Sequence, residues 1–232
     1  MLCITTNFEV RYWLLIYLIL QHVFCTLPPS PPQFSWETLP TFIHCSNNTG
    51  EINDDTIKHM STFPIVTVTK SQDSKTNASY CTYPCEEDKI IHALHKIRNY
   101  SNSSRTIFYL NSVLNVPQYR LSTQFQGENE SLLLHDSNGK LLHYRDCHGN
   151  SKINVTMFDV SQNETRQVWL NTVKYALTNK PGVVDGIFAD KNDYVNISRC
   201  GNITTQKSNE WMQGHTLLFQ QAQQIISSIQ AF

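Results

Sequence analysis

The hydrophobic pattern of this chain predicts five short strands that are buried on both faces. Short apolar runs bounded by polar or turn-forming residues are typical of strands in a parallel sheet. Such runs occupy residues 42–44, 65–70, 107–111, 155–159 and 183–190. Each run ends on a polar side chain, although packing alone requires no charge at the last position of a buried strand. We therefore expect a functional site at the ends of these strands.

Amphipathic helices separate the predicted strands. Apolar residues recur at spacings of three and four over residues 86–100, 163–177 and 209–232, and a shorter helix over 54–60 is capped by Asn53. The alternation of strand and helix predicts an α/β fold with a parallel sheet covered by helices. This is the order of a TIM-barrel-like (β/α) barrel, although an open doubly wound sheet would have the same order of elements.

Parallel α/β proteins carry their functional residues at the carboxyl ends of the strands. Because side chains alternate between the two faces of a strand, Asp190 is expected to share a face with Phe188. By the same rule Lys70 shares a face with Val66 and Val68. The polar strand ends that we expect to gather at one edge of the sheet are His44, Lys70, Asn111, Asp159 and Asp190.

Several motifs along the chain resemble those of one protein family. The most distinctive are Phe-Tyr-Leu-Asn-Ser at residues 108–112 and Val-Asp-Gly-Ile-Phe-Ala-Asp at residues 184–190. Phe-Ser-Trp at 34–36, Phe-Pro-Ile-Val-Thr at 63–67 and Glu-Glu-Asp-Lys-Ile at 86–90 accompany them. As a set, these motifs resemble a family of secreted, glycoside-hydrolase-like TIM-barrel proteins. The resemblance implies a barrel fold and a carbohydrate substrate, and it does not identify a catalytic residue.

Two carboxylates are the candidates for catalysis. Sugar hydrolysis commonly uses a pair of carboxyl groups about 5–10 Å apart, and adjacent parallel strands lie about 4.8 Å apart. If their strands are neighbours, Asp159 and Asp190 can form such a pair. Each also has a structural interpretation, because Asp159 can cap the next helix and Asp190 can cap a helix or pair with Lys191. Asp185 faces the other way and is interpreted as structural.

Four further residues are predicted to bind the substrate. Lys70 can orient a carboxylate or the substrate, or it can be an exposed strand end. Asn111 and Tyr109 share a face, and an amide at a strand end can bond sugar hydroxyls or tie down the next loop. His44 completes the set, although a single histidine is more often structural. No metal or other cofactor is expected.

The N-terminal residues predict export. Arg11 precedes the apolar run 12–20, which is the order of a secretory signal, assigned here to residues 1–25. A retained signal anchor is the alternative, although a membrane span needs about 20 apolar residues. The proline-rich segment 26–33 is interpreted as an exposed leader. The glycoside-hydrolase-like domain is then assigned to residues 34–232.

Glycosylation sequons support export independently. One Asn-x-Ser/Thr triplet means little in a chain of this size, but several together are typical of a secreted glycoprotein. Asn47 and Asn154 are the least expected to carry glycans, because they flank predicted strands. The sequons begin at Asn47, Asn77, Asn99, Asn102, Asn129, Asn154, Asn163, Asn196 and Asn202.

The cysteines also indicate an oxidising compartment. Five of them follow the predicted signal: Cys45, Cys81, Cys85, Cys147 and Cys200. Cys147 and Cys200 are a plausible disulfide, and Cys81 and Cys85 can bridge or can each pair elsewhere. Because five is an odd number, at least one of these cysteines is expected to remain outside an intramolecular disulfide. The Cys-x-x-x-Cys spacing lacks a second ligand pair, which argues against zinc.

Charge and length narrow the choice of function. The chain has 18 basic and 19 acidic residues and a net charge of −1, so nothing favours a nucleic-acid partner. About 200 residues is the lower end for an eight-stranded barrel, and five strands predict an incomplete, C-terminally truncated one. Two hypotheses follow. The first is a secreted glycoside hydrolase, and the second is a non-catalytic secreted glycoprotein that binds sugar or another extracellular partner.

Overall fold

The computed structural model describes residues 41–70, 81, 83–147, 149, 154–191 and 197–230. The predicted signal, the leader, the Phe-Ser-Trp motif and the sequons at Asn77 and Asn196 lie outside these residues. The described elements are β1 (Phe42–Cys45), α1 (Asp54–Met60), β2 (Ile65–Val68), α2 (Glu86–Tyr100), β3 (Arg105–Asn111), α3 (Arg120–Thr123), α4 (Tyr144–Cys147), α5 (Asn163–Thr178), β4 (Gly186–Asp190) and α6 (Thr205–Gln230), with 3₁₀ helices at Gly127–Leu132 and Ile197–Arg199.

The four strands form one parallel sheet in the order β1-β2-β3-β4. Each of the four strands pairs with the next strand of the sheet along the chain, as crossover connections that walk around a barrel do. In the register of the last pair, Asn111 lies opposite Asp190 and Tyr109 lies opposite Phe188. The polar ends of β3 and β4 are therefore side by side.

The prediction of a strand of the parallel sheet at 155–159 is wrong. Met157 and Phe158 form only isolated antiparallel bridges, with Leu114 and Leu133 respectively. The edge of β3 that this run was expected to occupy is taken by β4. The run is apolar because Met157 and Phe158 are buried in the core, and burial alone does not place a segment in a sheet.

The two faces of the sheet have different environments. Val66, Val68 and Phe108 are fully buried on the face against which α2 packs. On the opposite face, Phe42 is 52% exposed and Phe188 is 38% exposed. In a closed barrel this second face lines the interior. Among the described residues this face is therefore open to solvent at Phe42 and Phe188, while Tyr109 between the strands is buried.

The helices agree with the predictions to within a few residues. Both α1 and α2 have the predicted bounds, and Asn53 caps α1 by accepting the amide of Thr56 at 2.8 Å. Helix α6 begins at Thr205, four residues before the predicted start. The hydroxyl of Thr204 accepts the amide of Lys207 at 3.1 Å and caps this helix. No described helix combines the length and the apolar character that crossing a bilayer requires.

Two disulfides link the loops. Cys147 pairs with Cys200, as predicted, and this bond joins α4 to the segment before α6. Cys81 pairs with Cys85 and closes the turn before α2, which decides between the alternatives left open above. Cys45 is the half-buried cysteine that remains outside a disulfide among the described residues.

Asp185 precedes β4 and holds it against β3. Its Oδ2 accepts the amide of Thr106 at 2.7 Å and pairs with the guanidinium of Arg98. Arg105 Nη1 lies 3.8 Å from Oδ1. A carboxylate bonded in this way by a backbone amide and arginines joins neighbouring elements. The structural interpretation of Asp185 is confirmed.

Asp185→Asn is expected to lower the free energy of unfolding by about 2 kcal/mol, because the Arg98 guanidinium would lose its charged partner. Chemical denaturation of the purified protein measures this. Asp55→Asn is the matched control: Asp55 is exposed in the first turn of α1, and its change should stay within about 0.5 kcal/mol. An equal loss in both variants would contradict the role of Asp185.

Candidate functional site

The carboxyl ends of the strands bring four of the predicted site residues together. Tyr109 donates its hydroxyl proton to Oδ2 of Asp190, and Nδ2 of Asn111 lies 3.2 Å from the same oxygen. Lys70 donates to the Tyr109 hydroxyl oxygen, and its Nζ lies 3.8 Å from Oδ2 of Asp190. The result is a connected set of carboxylate, phenol, amide and ammonium groups, which we call the Asp190 cluster.

Lys70 lies on the opposite face of the sheet from the one that the alternation of side chains along its strand predicts. Val66 and Val68 are fully buried on the helix-covered face, whereas Lys70 contacts Tyr109 on the opposite one. The predicted grouping of Lys70 with these two valines is therefore wrong. Strand β2 ends at Val68, so the alternation of side chains no longer applies two residues later.

Asn111 ties down the loop that follows β3. Its Oδ1 accepts the amides of Val113 at 3.0 Å and Leu114 at 2.6 Å. Its main-chain oxygen accepts Nε1 of Trp169 at 2.8 Å. Because Nδ2 lies on Asp190 and the residue is only 2% exposed, little surface remains for a ligand. These contacts favour the loop-anchoring interpretation of Asn111 over direct contact with a substrate.

Aromatic rings border the Asp190 cluster. The His44 ring lies 5.3 Å from the Phe188 ring and 6.0 Å from the Tyr109 ring, and the rings of Tyr109 and Phe188 stack at 6.1 Å. The sequence-based set of site residues lacks Phe188, although its position two residues before Asp190 places it on the same face. His44 and Phe188 are both exposed, so they offer surface to a ligand.

The surroundings of Asp190 favour its ionised form. Burial acts to raise the pKa of Asp190, but the Tyr109 hydroxyl, the Lys191 amide at 2.9 Å and the charges of Lys70 and Lys191 together lower it below its ordinary value. Burial raises the pKa of Tyr109, and the hydrogen bond to Asp190 raises it further. Burial lowers the pKa values of Lys70 and His44. The cluster therefore holds a carboxylate bonded by a neutral phenol.

Asp159 lies in a different polar cluster. Its Oδ2 accepts Nζ of Lys207 at 2.6 Å and Nε2 of Gln162 at 3.0 Å, and its Oδ1 accepts the Ser161 hydroxyl at 2.6 Å. None of the contacts described for these residues joins Asp159 to Asp190. Because 155–159 is not a strand of the sheet, the strand spacing that predicted an Asp159–Asp190 pair does not apply. The contacts favour the interpretation of Asp159 as a local anchor before α5.

The Asp190 cluster is partly exposed, because the side chains of Lys70 and Asp190 are each 33% accessible. Cavities of about 440, 340 and 200 Å³ occur elsewhere in the described chain, and Asp190 lines none of them. The first lies beside α2, and the second is lined by Asp159 and Lys207 among others. Over the same described ranges, no group of three or more His, Cys, Asp or Glu side chains is placed to hold a metal ion.

The fold can be compared with those of solved structures. The chain is similar to the GH36 α-galactosidase from Geobacillus stearothermophilus, with a TM-score of 0.51 and 11% identity over 78% of this chain and 26% of that one. It is also similar to the sucrose 6F-phosphate phosphorylase from Thermoanaerobacter thermosaccharolyticum, with a TM-score of 0.51 and 14% identity. The similarity covers 81% of this chain and 47% of the phosphorylase. The chain is similar to the galactosidase domain of an α-galactosidase–sucrose kinase as well, with a TM-score of 0.51 and 11% identity. This similarity covers 80% of this chain and 25% of that one.

At these identities the similarity establishes the fold alone. The structural neighbours include TIM-barrel glycoside hydrolases, so the predicted fold class is confirmed. The chain spans less than half the length of each of the three structures. No protein-family model matches the chain, and no curated protein matches it in sequence. The resemblance to glycoside-hydrolase-like proteins is thus supported at the level of the fold.

Proposed function

We propose that this chain is a secreted, glycoside-hydrolase-like protein that acts on the glycosidic bonds of a carbohydrate through Asp190. The observation that carries this proposal is the Asp190 carboxylate at the end of β4, which Tyr109 bonds and the exposed rings of His44 and Phe188 border, with partners that lower its pKa. TIM-barrel enzymes place their active sites at this end of their strands. The fold of the structural neighbours supports a carbohydrate as the substrate class.

In this proposal Asp190 acts in its anionic form. An ionised carboxylate can attack the anomeric carbon or stabilise the positive charge that develops there, whereas a general acid must carry a proton. The low pKa of Asp190 favours the anionic role. The ion pair between Asp159 and Lys207 favours an anchoring role for Asp159 over its predicted part in a catalytic pair.

A non-catalytic carbohydrate-binding glycoprotein is the second candidate. It is favoured by one observation: Asp159, the carboxylate predicted to pair with Asp190, is engaged by Lys207, Gln162 and Ser161 instead. Glycosidases typically need two carboxyl groups at the reacting bond. The exposed His44 and Phe188 rings would serve a binding protein equally well, because aromatic surfaces pack against the apolar faces of sugars.

One experiment separates the two candidates. The secreted protein is incubated with a panel of oligosaccharides and polysaccharides, and the release of reducing ends is measured beside equilibrium binding to the same glycans. The hydrolase proposal expects release that depends on Asp190. Binding without release on every glycan tested would favour the second candidate.

Secretion through the glycosylating pathway is expected to leave N-glycans on the chain. Treatment of secreted material with an N-glycosidase should increase its electrophoretic mobility, and unchanged mobility would contradict export. Asn47 should be less occupied than Asn99 in glycopeptide mapping, because Nδ2 of Asn47 donates to the Glu51 carbonyl at 2.9 Å. Among the sequon asparagines that the structure describes, the exposed ones are Asn99, Asn102, Asn129, Asn154, Asn163 and Asn202.

A further inference from the structure

The two carboxylate oxygens of Asp190 have different partners. Oδ2 accepts the Tyr109 hydroxyl and lies 3.2 Å from Nδ2 of Asn111 and 3.8 Å from Nζ of Lys70. Oδ1 accepts the amide of Lys191 at 2.9 Å and has no further partner among the described residues. A carboxylate oxygen accepts about two hydrogen bonds. Oδ2 is therefore saturated, and Oδ1 keeps a free acceptor position.

The backbone around Asp190 supports this asymmetry. Lys191 has φ = +65°, a left-handed conformation that residues other than glycine rarely adopt, and there its amide meets Oδ1 of Asp190. Strain of this kind clusters at functional sites. The amide and the hydroxyl of Ser112 both donate to the main-chain oxygen of Asp190, at 3.0 and 2.8 Å. These bonds fix the direction in which the carboxylate leaves the strand.

Tyr109 has little capacity left for a ligand. Its hydroxyl donates to Asp190 and accepts from Lys70, and the residue is only 1% exposed. Its main-chain oxygen accepts the hydroxyl of Tyr119 at 3.1 Å, so its backbone is held from within the core as well. Nδ2 of Asn111 also lies 3.4 Å from this hydroxyl oxygen, so a sugar could bond the hydroxyl only by displacing one of these three partners.

We propose that Tyr109 and Lys70 are positioning residues that hold Asp190 as an oriented carboxylate through Oδ2 and leave Oδ1 facing the substrate. The inference rests on the proposed function, in which Asp190 is the acting carboxylate. It replaces the substrate-binding roles that the sequence predicts for Tyr109 and Lys70. Contact with the sugar then falls to His44 and Phe188, whose exposed rings border the ring of Tyr109.

The charges around Asp190 determine whether its pKa should rise or fall in variants of Tyr109 and Lys70. The titratable groups around Asp190 are His44 from β1, Lys70 after β2, Tyr109 from β3, Tyr119 before α3 and Lys191 after β4, and Glu86 of α2 acts on Lys70. Removing the Tyr109 hydroxyl or the Lys70 charge removes a partner of the anion, while burial still favours the protonated form. The pKa of Asp190 in the folded protein is therefore expected to rise in either variant.

The direct test is an NMR titration of the aspartate carboxyl carbons, with the Asp190 signal assigned by its loss in Asp190→Asn. Tyr109→Phe and Lys70→Met are each expected to raise the pKa of Asp190 by about one unit. Tyr175→Phe is the matched control, because Tyr175 also donates its hydroxyl to a carboxylate, that of Asp88, at 2.7 Å. An Asp190 pKa that is unchanged in both cluster variants overturns the inference. If the Tyr109→Phe variant does not fold, the pKa of Asp190 in the Lys70→Met variant alone decides the test.

A kinetic measurement distinguishes failure of this inference from failure of the proposed function. On a glycosidic substrate, Tyr109→Phe should move the acidic limb of the kcat/KM profile to higher pH and lower kcat about tenfold, with KM within about twofold. A raised KM with unchanged kcat would show that Tyr109 binds the substrate, and it would overturn the inference. A raised Asp190 pKa in a chain inactive on every glycoside would support the positioning role and refute the hydrolase.

Discussion

Replacing Asp190 with Asn is expected to lower turnover of a glycosidic substrate by roughly 10³-fold. The amide keeps the size of the carboxylate and can still accept the Tyr109 hydroxyl, so the fold should be retained. It has no negative charge with which to attack the anomeric carbon or to stabilise the charge that develops there. The measurement is kcat/KM on the best substrate of the panel, with thermal unfolding as the check on folding.

Asp159→Asn is the matched control for this experiment. It makes the same chemical change at a buried carboxylate that pairs with Lys207 and contacts Ser161. We expect it to lower stability, because Lys207 loses its charged partner, and to keep turnover within about tenfold. Parental activity in Asp190→Asn would refute the assignment of Asp190. An equal loss of turnover in the Asp190→Asn and Asp159→Asn variants would indicate that the two carboxylates form a catalytic pair.

Gly214→Ala is expected to lower the free energy of unfolding by about 3 kcal/mol. In an unobstructed helix the same change stabilises by about 1 kcal/mol, so the expected sign is reversed. A Cβ at position 214 would lie 2.1 Å from the main-chain oxygen of Val160 and 2.8 Å from the Cα of Ser161. Because these are backbone atoms, α6 would have to move away from the turn before α5.

Chemical denaturation measures the effect of Gly214→Ala, with Gln213→Ala as its control. Gln213 is the exposed neighbour on the same helix, so its change should stay within about 0.5 kcal/mol. Fluorescence adds a local readout, because Trp211 donates Nε1 to the Phe158 carbonyl at 2.9 Å and is buried beside this contact. A stabilised Gly214→Ala variant would show that the helix is not held against Val160.

The helices could be predicted from the sequence because their signals are local. Asn53 caps α1, and the acidic residues at the start of α2 lie where the helix dipole favours them. Such interactions span three or four residues and do not depend on the rest of the fold. Helix α6 starts earlier than its apolar pattern because the hydroxyl of Thr204 caps it by accepting the amide of Lys207.

The run at 155–159 shows where sequence patterns stop being sufficient. An apolar run of five residues signals burial, and both a sheet strand and a packed connecting segment satisfy that signal. Here Phe158 donates its amide to the Val113 carbonyl at 2.9 Å, and Trp211 bonds the Phe158 carbonyl. These partners lie 45 or more positions away along the chain, so the sequence pattern contained no information about them.

For the site, the alternation of side chains along β3 and β4 was sufficient to place Tyr109, Asn111 and Asp190 on one face at one edge, because that rule depends only on the strand itself. Tertiary structure decided the rest. It brought Lys70 across from a segment beyond the end of β2, placed Asp159 with Lys207, and divided the two oxygens of Asp190 between different partners. Those outcomes depend on which segments meet in space. Hydrogen bonds and ion pairs act over a few ångströms between residues far apart in sequence, so only the folded chain determines them.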